Sequence, residues 1–534
     1  MQDRFLQFLA AVKVEETRAL LPHLPLLMES SRHPDGTLKV SARTASFTNE
    51  WVLDHGHSSI KEETALFGHV ENISDITGKK ITGHPLNKPQ VKSTRYISYG
   101  SVLDRAFEDE DLKALPNADQ VFAYIDFMNK RYVAVTEQLT ELVMKHEDTG
   151  KVIDHLRQPN IVEREVKKAI DKKKRYQAGF EPTAADYEAE KVKYLAGLEQ
   201  KGVQRDIGKF VLDSSRVYLL AVTKTSLGQS VDARTLEEII IDMISSPRLE
   251  DQRRGHSIWT EARKIAPILL GQRSHIRVDE WKVKNEQELR PYFQERFNAT
   301  LPGRRGLIPS PVILYQQLSE DLDRYNAALA LFPYLNAPLQ DILGLLTPQD
   351  VRDVLEMTHK NRGERDVLNR SLGHTGLTFE ITMGYHGYRD IFRHRNGARS
   401  TQLLTTQLGF EVPPLFIAYG LDEQYLQDMH KAAVMVEDVQ SINPHVAEKL
   451  VPFGANCRSL HSWSPHQVGY VTSLRSDIHK GNFSYVRIAR KVAAELQEIM
   501  PITGKKLRVK DDNYPIHLWN RGYEWYDQQQ EQWE

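Results

Sequence analysis

The sequence predicts an α+β fold built from two similar domains. Three observations carry that expectation. At 534 residues the chain exceeds what one hydrophobic core fills, so two to four domains are expected. The order of strand, helix, signature region and final amphipathic helix recurs in each half. Between the halves, Leu301 to Pro311 carries three prolines and two glycines in eleven residues, which is linker composition. The expected division is a first copy at 1–290 with a helical insertion at about 140–200, a linker at 291–310, a second copy at 311–504 and a tail at 505–534.

Taken in order, Val40 to Phe47 reads as a short strand, and Asn49 to His55 as a helix capped by Gly56. A Gly/Pro-rich stretch, Gly78 to Pro89, separates these from a strand-like run, Ser93 to Tyr99. Asp104 to about Lys201 is helical and strongly charged. Acidic residues interleave its densest basic runs, Arg164 to Lys168 and Lys172 to Arg175, so they read as a solvated face. Leu236 to Ile244 is a buried helix or strand, and Ser257 to Leu270 a helix. Past the linker come a strand, Val312 to Gln316, and helices at Ser319 to Tyr334 and Pro348 to His359. Ile381 to Phe392 is a strand or a buried helix end that brings Arg393-His394-Arg395 out at the rim of a core. Two helices follow, Glu423 to Val439 and Tyr485 to Met500. The second places Ala489, Val492, Ala493, Leu496 and Ile499 on one face.

Composition narrows the function. Hydrophobic residues at 40% and charged residues at 27% are those of an ordinary globular protein. A net charge of −2 argues against a general nucleic-acid or membrane-surface binder, though not against a local basic site. One cysteine, Cys457, allows no intrachain disulfide and no cysteine zinc site, and it reads as a core thiol. His461 and His466 are too loosely spaced for metal ligands, so no metal is expected. No apolar run approaches the roughly 20 residues that span a bilayer, and Met1 to Pro22 lacks a signal-peptide core. A reducing, cytoplasmic location is the expectation.

Weak internal echoes support two copies. Ala262-Arg263-Lys264-Ile265 matches Ala489-Arg490-Lys491-Val492, each in a helix running to a proline, Pro267 or Pro501. Thr82-Gly83-His84-Pro85 stands where the second half has Phe392-Arg393-His394-Arg395. Two guanidiniums flanking an imidazole suit an anionic group, because guanidinium forks give paired hydrogen bonds.

These residues resemble the flavin-dependent thymidylate synthases, whose signature begins Arg-His-Arg and ends Ser-x-Arg-Tyr. The first half resembles it through Ser41 to Phe47, His55 to Glu62, Ser93-Thr94-Arg95-Tyr96 and Asp232-Ala233-Arg234-Thr235-Leu236. The second half does so through Arg393-His394-Arg395, Val446 to Pro452 and Leu474 to His479. The departures are specific. Gly83 and Pro85 replace both arginines of the first triplet, and Glu63 stands at a family histidine. Leu403 replaces the second signature serine, Asp390 a glutamine that reads the pyrimidine, and Glu448 an arginine on the nucleotide phosphate, with Lys209 in that slot of the first half.

The losses are complementary, and the resemblance implies one composite site between two copies, each a small, mainly antiparallel sheet packed with helices. Ser93, Thr94, Arg95 and Lys209, with Asp390 and Arg393, would bind a deoxyuridine monophosphate. Arg393, His394, Arg395, Asp232, Ala233, Arg234 and His479 would hold FAD. Arg475 would stabilise charge developing on the pyrimidine ring. NADPH and methylenetetrahydrofolate would be co-substrates. The family's tetramer would become a homodimer of fused chains. An enzyme acting on another pyrimidine and a non-catalytic scaffold remain alternatives.

Overall fold

The computed structural model describes residues 33–40, 42–47, 49–50, 59–94, 98–145, 154, 156–176, 180–198, 203–271, 274, 276–280, 282–284, 287, 311–315, 321–331, 339–359, 368, 370–477 and 481–509. The predicted linker at 291–310, the helix at Asn49 to His55 beyond its first two residues, and the tail beyond 509 lie outside them. The architecture is α+β, with small antiparallel sheets among helices.

The chain forms two compact units that are not its two sequence halves. The first gathers Met1–Lys92, Phe107–Pro116 and Lys224–Gly303, and the second Ser93–Ala106, Asn117–Thr223 and Arg304–Glu534. The charged helical stretch and the Ser93 region therefore group with the second half.

The first unit holds strands β1 (Leu66–Ser74), β2 (Lys88–Val91) and β3 (Lys224–Val231), antiparallel in the order β1-β3-β2. At the end of β1, Ser74 caps the helix Asp75–Thr82, its Oγ accepting the Thr77 N–H at 3.3 Å. Asp232 does the same for the helix Ala233–Ile244, accepting the Thr235 N–H at 2.8 Å. Leu236, Ile239, Ile240, Met243 and Ile244 recur at helical spacing and bury their side chains with Ile73 and Leu227 of the sheet. The helix Leu249–Ile265 follows. Beneath it, Lys224 Nζ lies 2.8 Å from both Asp109 and Glu250.

The second unit holds β4 (Val312–Tyr315), β5 (Leu377–Gly384), β6 (Arg399–Thr401) and β7 (Asn456–Trp463), antiparallel in the order β4-β5-β7-β6. The helix Tyr385–Ile391 continues from β5, and the helices Pro465–Arg475 and Phe483–Ile499 follow β7. The predicted face of the last helix is buried at Ala489, Val492, Ala493 and Leu496. A long helix, Ala118–Lys145, belongs here, its Tyr124 hydroxyl donating to the Leu450 carbonyl at 3.0 Å. Helices Pro159–Tyr176 and Ala184–Gly197 pack against each other through Val162, Val166 and Ile170, within the stretch read as helical and charged.

The orders β1-β3-β2 and β5-β7-β6 match element by element, and each central strand leads into two helices. His84 lies ten residues past Ser74 (84 − 74) and His394 ten past Gly384 (394 − 384), so that echo is in register with the strand ends. The Ala-Arg-Lys echo is not. The two helices have the same length of 17 residues, but Ala262 lies 14 past its N-cap Arg248 (262 − 248) and Ala489 only 7 past Asn482 (489 − 482). The prolines carry the correspondence instead, each two residues beyond its helix (267 − 265 and 501 − 499).

Three local expectations need correction. Val40 to Phe47 is not a strand: Ala42–Phe47 is a helix, in keeping with its alanines. The Gly/Pro-rich stretch from Gly78 starts inside the helix Asp75–Thr82, where the Ser74 cap and buried Ile76 and Ile81 outweigh one glycine. Of the strand-like run Ser93 to Tyr99, residues 95–97 lie outside the described set, and the described residues are not in a strand, with a turn at Thr94.

Candidate functional site

Thr94 stands at the centre of a buried charged cluster in the second unit. Its Oγ1 accepts from Arg216 Nη1 at 3.2 Å and from Arg389 Nη1 at 2.7 Å. Arg216 opens a one-turn 3-10 helix, Arg216–Tyr218, and is 1% exposed. That turn is anchored from below: the Tyr218 hydroxyl donates to Asp428 at 3.1 Å, and Arg131 Nε donates to the same carboxylate at 2.5 Å. Arg216 Nη2 is 3.5 Å from Asp213 and 3.9 Å from Asp390.

Arg389 and Asp390 come from the last turn of the helix Tyr385–Ile391, which β5 aims at this point. The Arg389 guanidinium lies 4.7 Å from the centre of the Phe453 ring. Asp390 bridges onward to Arg475 Nη1 at 4.0 Å. Arg475, last residue of the helix Pro465–Arg475, donates from Nε to His394 Nε2 at 3.1 Å. Burial, then the Arg475 guanidinium, pushes the His394 pKa down to about 3, so the ring is neutral and Nε2 is its acceptor. Two guanidiniums thus converge on one hydroxyl, with Asp213, Asp390 and Arg475 joined to them through ion pairs, and guanidinium N–H groups are donors suited to an oxyanion.

Residues from both sequence halves meet here. Thr94 and Arg216 come from the first half, and Arg389, Asp390, His394 and Arg475 from the second. Ser93 is half-buried beside Thr94. Arg393 is exposed next to His394. Arg395 is half-buried, and burial followed by repulsion from Arg399 and Arg393 lowers its pKa.

The remaining predicted residues lie elsewhere or outside the described set. Arg95 and His479 are outside it. Lys209 lies in the helix Val203–Ser215, with its side chain outside the description. Asp232, Ala233 and Arg234 belong to the first unit. There Asp232 is the helix cap, Ala233 is buried, and Arg234 is ion-paired with Glu62 and Glu238.

Sequence reasoning missed Arg216, Arg389 and Asp213. For Arg216 a signal existed. It lies eight residues before β3 (224 − 216), and Glu448 lies eight before β7 (456 − 448). Both open a one-turn 3-10 helix. Arg216, and not Lys209, therefore holds the position that matches Glu448.

A second buried cluster sits at the start of the helix Tyr385–Ile391. Glu411 accepts the Gly384 N–H at 3.1 Å and Arg487 Nη2 at 3.1 Å, with His386 Nε2 3.0 Å away. Burial alone would raise the Glu411 carboxyl; His386 and Arg487 outweigh it and hold the pKa at about 2. His386 itself is pushed down by burial. Cys457 is buried, as expected for a core thiol. His461 is buried in β7 beside Ser459, and His466 donates to the Leu368 carbonyl at 2.6 Å. Among the described residues no His/Cys/Asp/Glu group could hold a metal ion, and no helix is long and apolar enough to cross a membrane.

No family model matches the chain. It is similar to a UPF0159 protein of Chlamydia muridarum, 26% identical over 56% of this chain and 58% of that protein. It is likewise similar to one of Chlamydia pneumoniae, 25% identical over 55% and 56%. The chain therefore spans somewhat over half the length of these curated relatives. A UPF0159 protein of Thermoplasma acidophilum is 21% identical over 89% of this chain and 90% of that one. Among solved structures, a UMP/dUMP methylase PolB from Streptomyces cacaoi, bound with 5-Br dUMP, covers 37% of this chain and 94% of its own, at 14% identity and a TM-score of 0.29. A likeness that low carries no argument about this chain.

Proposed function

We propose that this protein is a tandem-duplicated relative of the flavin-dependent thymidylate synthases, and that its Thr94 cluster binds the phosphate of a pyrimidine deoxynucleotide. The observation that carries the reading is the shared Thr94 hydroxyl, held between Arg216 and Arg389. The resemblance supplied Ser93-Thr94 from one half and Arg475 from the other, and the cluster joins Thr94 to Arg475 through Arg216 and Asp390. The matching strand orders support the duplication.

The reaction proposed is reductive methylation of deoxyuridine monophosphate. Arg216 and Arg389 bind and orient the phosphate. Arg475, fixed between Asp390 and neutral His394, supplies positive charge where the ring becomes anionic. The exposed Arg393 and the half-buried Arg395 fit an anionic flavin group; Asp232 and Arg234, engaged in their own cap and ion pairs, do not. When bound, FAD would supply the hydride chemistry, with NADPH as reductant and methylenetetrahydrofolate as carbon donor.

Calorimetric titration with deoxyuridine monophosphate tests the binding step. Arg216→Ala is expected to weaken it by roughly ten- to a hundredfold, the loss of one charged hydrogen-bonding partner. Unchanged affinity would sink the phosphate assignment. A flavin absorbance band on purification separates the enzyme from a scaffold. One feature favours another pyrimidine as the second reading. A carboxylate at Asp390 only accepts hydrogen bonds, whereas a glutamine also donates, so this position cannot donate to a uracil carbonyl but can accept from the amino group of cytosine. Titrating cytidine and uridine nucleotides side by side distinguishes the two.

A further inference from the structure

The position matching Thr94 in the second half is Leu404. Val91 of β2 pairs with Leu227, three residues into β3 (227 − 224), and Thr401 of β6 pairs with Ser459, three into β7 (459 − 456). Val91 and Thr401 thus correspond, and three residues on, so do Thr94 and Leu404 (94 − 91 and 404 − 401). Arg216 and Glu448 correspond by their distance from the same strands.

The two corresponding pairs make opposite contacts. Arg216 donates to the Thr94 side chain at 3.2 Å. Glu448 instead accepts the Leu404 backbone N–H, at 2.9 Å from its Oε1. Both Glu448 and Leu404 are buried, at 5% and 7% exposure. A backbone N–H at a loop is the donor that an oxyanion would take. Here an oxyanion belonging to the chain already takes it.

We propose that Glu448 is a built-in plug. It occupies the second anion site with the protein's own carboxylate and leaves one nucleotide site, at Thr94, per chain. The count of one rests on the function proposed above; the plug itself does not. It also accounts for the direction of the exchange. A small residue at position 448, with no acceptor in reach, would vacate the donor, whereas the carboxylate fills it.

The test is the change in binding stoichiometry between full-length wild type and Glu448→Ala, titrated calorimetrically with inorganic phosphate and with deoxyuridine monophosphate. The variant is expected to gain one phosphate site per chain. Glu448→Gln should gain none, because its carboxamide oxygen still accepts the Leu404 N–H. If Glu448→Ala does not fold, Glu448→Ser takes its place with the same expected gain. No gain in a folded variant overturns the plug, as does an equal gain in Glu448→Gln. A wild type that binds no nucleotide, with the gain intact in the variant, sinks the Thr94 function and leaves the plug standing.

Discussion

At the scale of single residues, Glu411 is a buried charge held by the Gly384 N–H, Arg487 and His386. Its pKa of about 2 lies below the ordinary 4.5, so it contributes stability above about pH 4.5 that is lost as pH falls toward 2. His394 is also depressed, to about 3 from 6.5, so its contribution is present above about pH 6.5 and is lost as pH falls toward 3. Thermal melts between pH 7 and pH 2 should therefore show stability falling in two overlapping stages, and His394→Gln should make the upper one shallower, with buried His461 and His386 contributing the remainder. A melting temperature that holds constant down to pH 4 would contradict the His394 environment. Glu411→Gln leaves Arg487 buried opposite a neutral group and is expected to destabilise by about 3–5 kcal/mol in denaturant titration. A change below about 1 kcal/mol would mean that Arg487 finds another partner at little cost.

At the scale of elements, the segments just before β3 and β7 pair with each other. Leu220 and Pro452 form an antiparallel bridge, with Ala221 N–H donating to the Val451 carbonyl at 3.1 Å and Phe453 N–H to the Leu219 carbonyl at 2.7 Å. Leu220 and Pro452 are themselves corresponding residues, four past Arg216 and Glu448 (220 − 216 and 452 − 448). This pairing holds the Arg216 turn beside the second half. Gly454 makes it possible: a Cβ there would lie 2.1 Å from the Tyr425 hydroxyl and 3.0 Å from Val217. Gly454→Ala should therefore cost about 1–3 kcal/mol by overpacking, and it should weaken nucleotide binding more than a surface alanine does. Equal melting temperatures for wild type and variant would show that the segments part without penalty.

At the scale of the whole molecule, the expected assembly is a homodimer, since fusion halves the number of chains needed to complete a symmetric tetramer. Light scattering at micromolar concentration should report twice the chain mass of 61.4 kDa, and a value at the single mass would count against the assembly. The two units offer a second check at this scale. The first unit is built from three stretches of chain and the second from three others. Cutting the chain within residues 291–303 would therefore split the second unit, and the separated halves are expected not to fold independently. Two halves that each give a cooperative melt would refute this division.

Several features were legible from the sequence alone because they rest on local chemistry. The final helix shows its apolar stripe at a spacing of three and four, and four of its five predicted residues are buried. Pro348 to His359 is bounded as predicted, by a proline that opens a helix. The Arg-His-Arg triplet stood out because its donors are adjacent, and the departures at Leu403 and Glu448 were visible letter by letter. What only the tertiary structure decided depends on partners far apart in the chain. Whether Ser93 to Tyr99 forms a strand is not fixed by its β-branched residues, because a strand exists only when another chain segment supplies its hydrogen bonds. Arg216 and Arg389 are 173 residues apart (389 − 216), and no sequence pattern brings their guanidiniums to the same Thr94 hydroxyl. Nor does sequence give the contact between Glu448 and Leu404, in which a buried carboxylate accepts a backbone N–H. A local pattern fixes which face of an element is buried; only the packing of elements decides which buried charges meet.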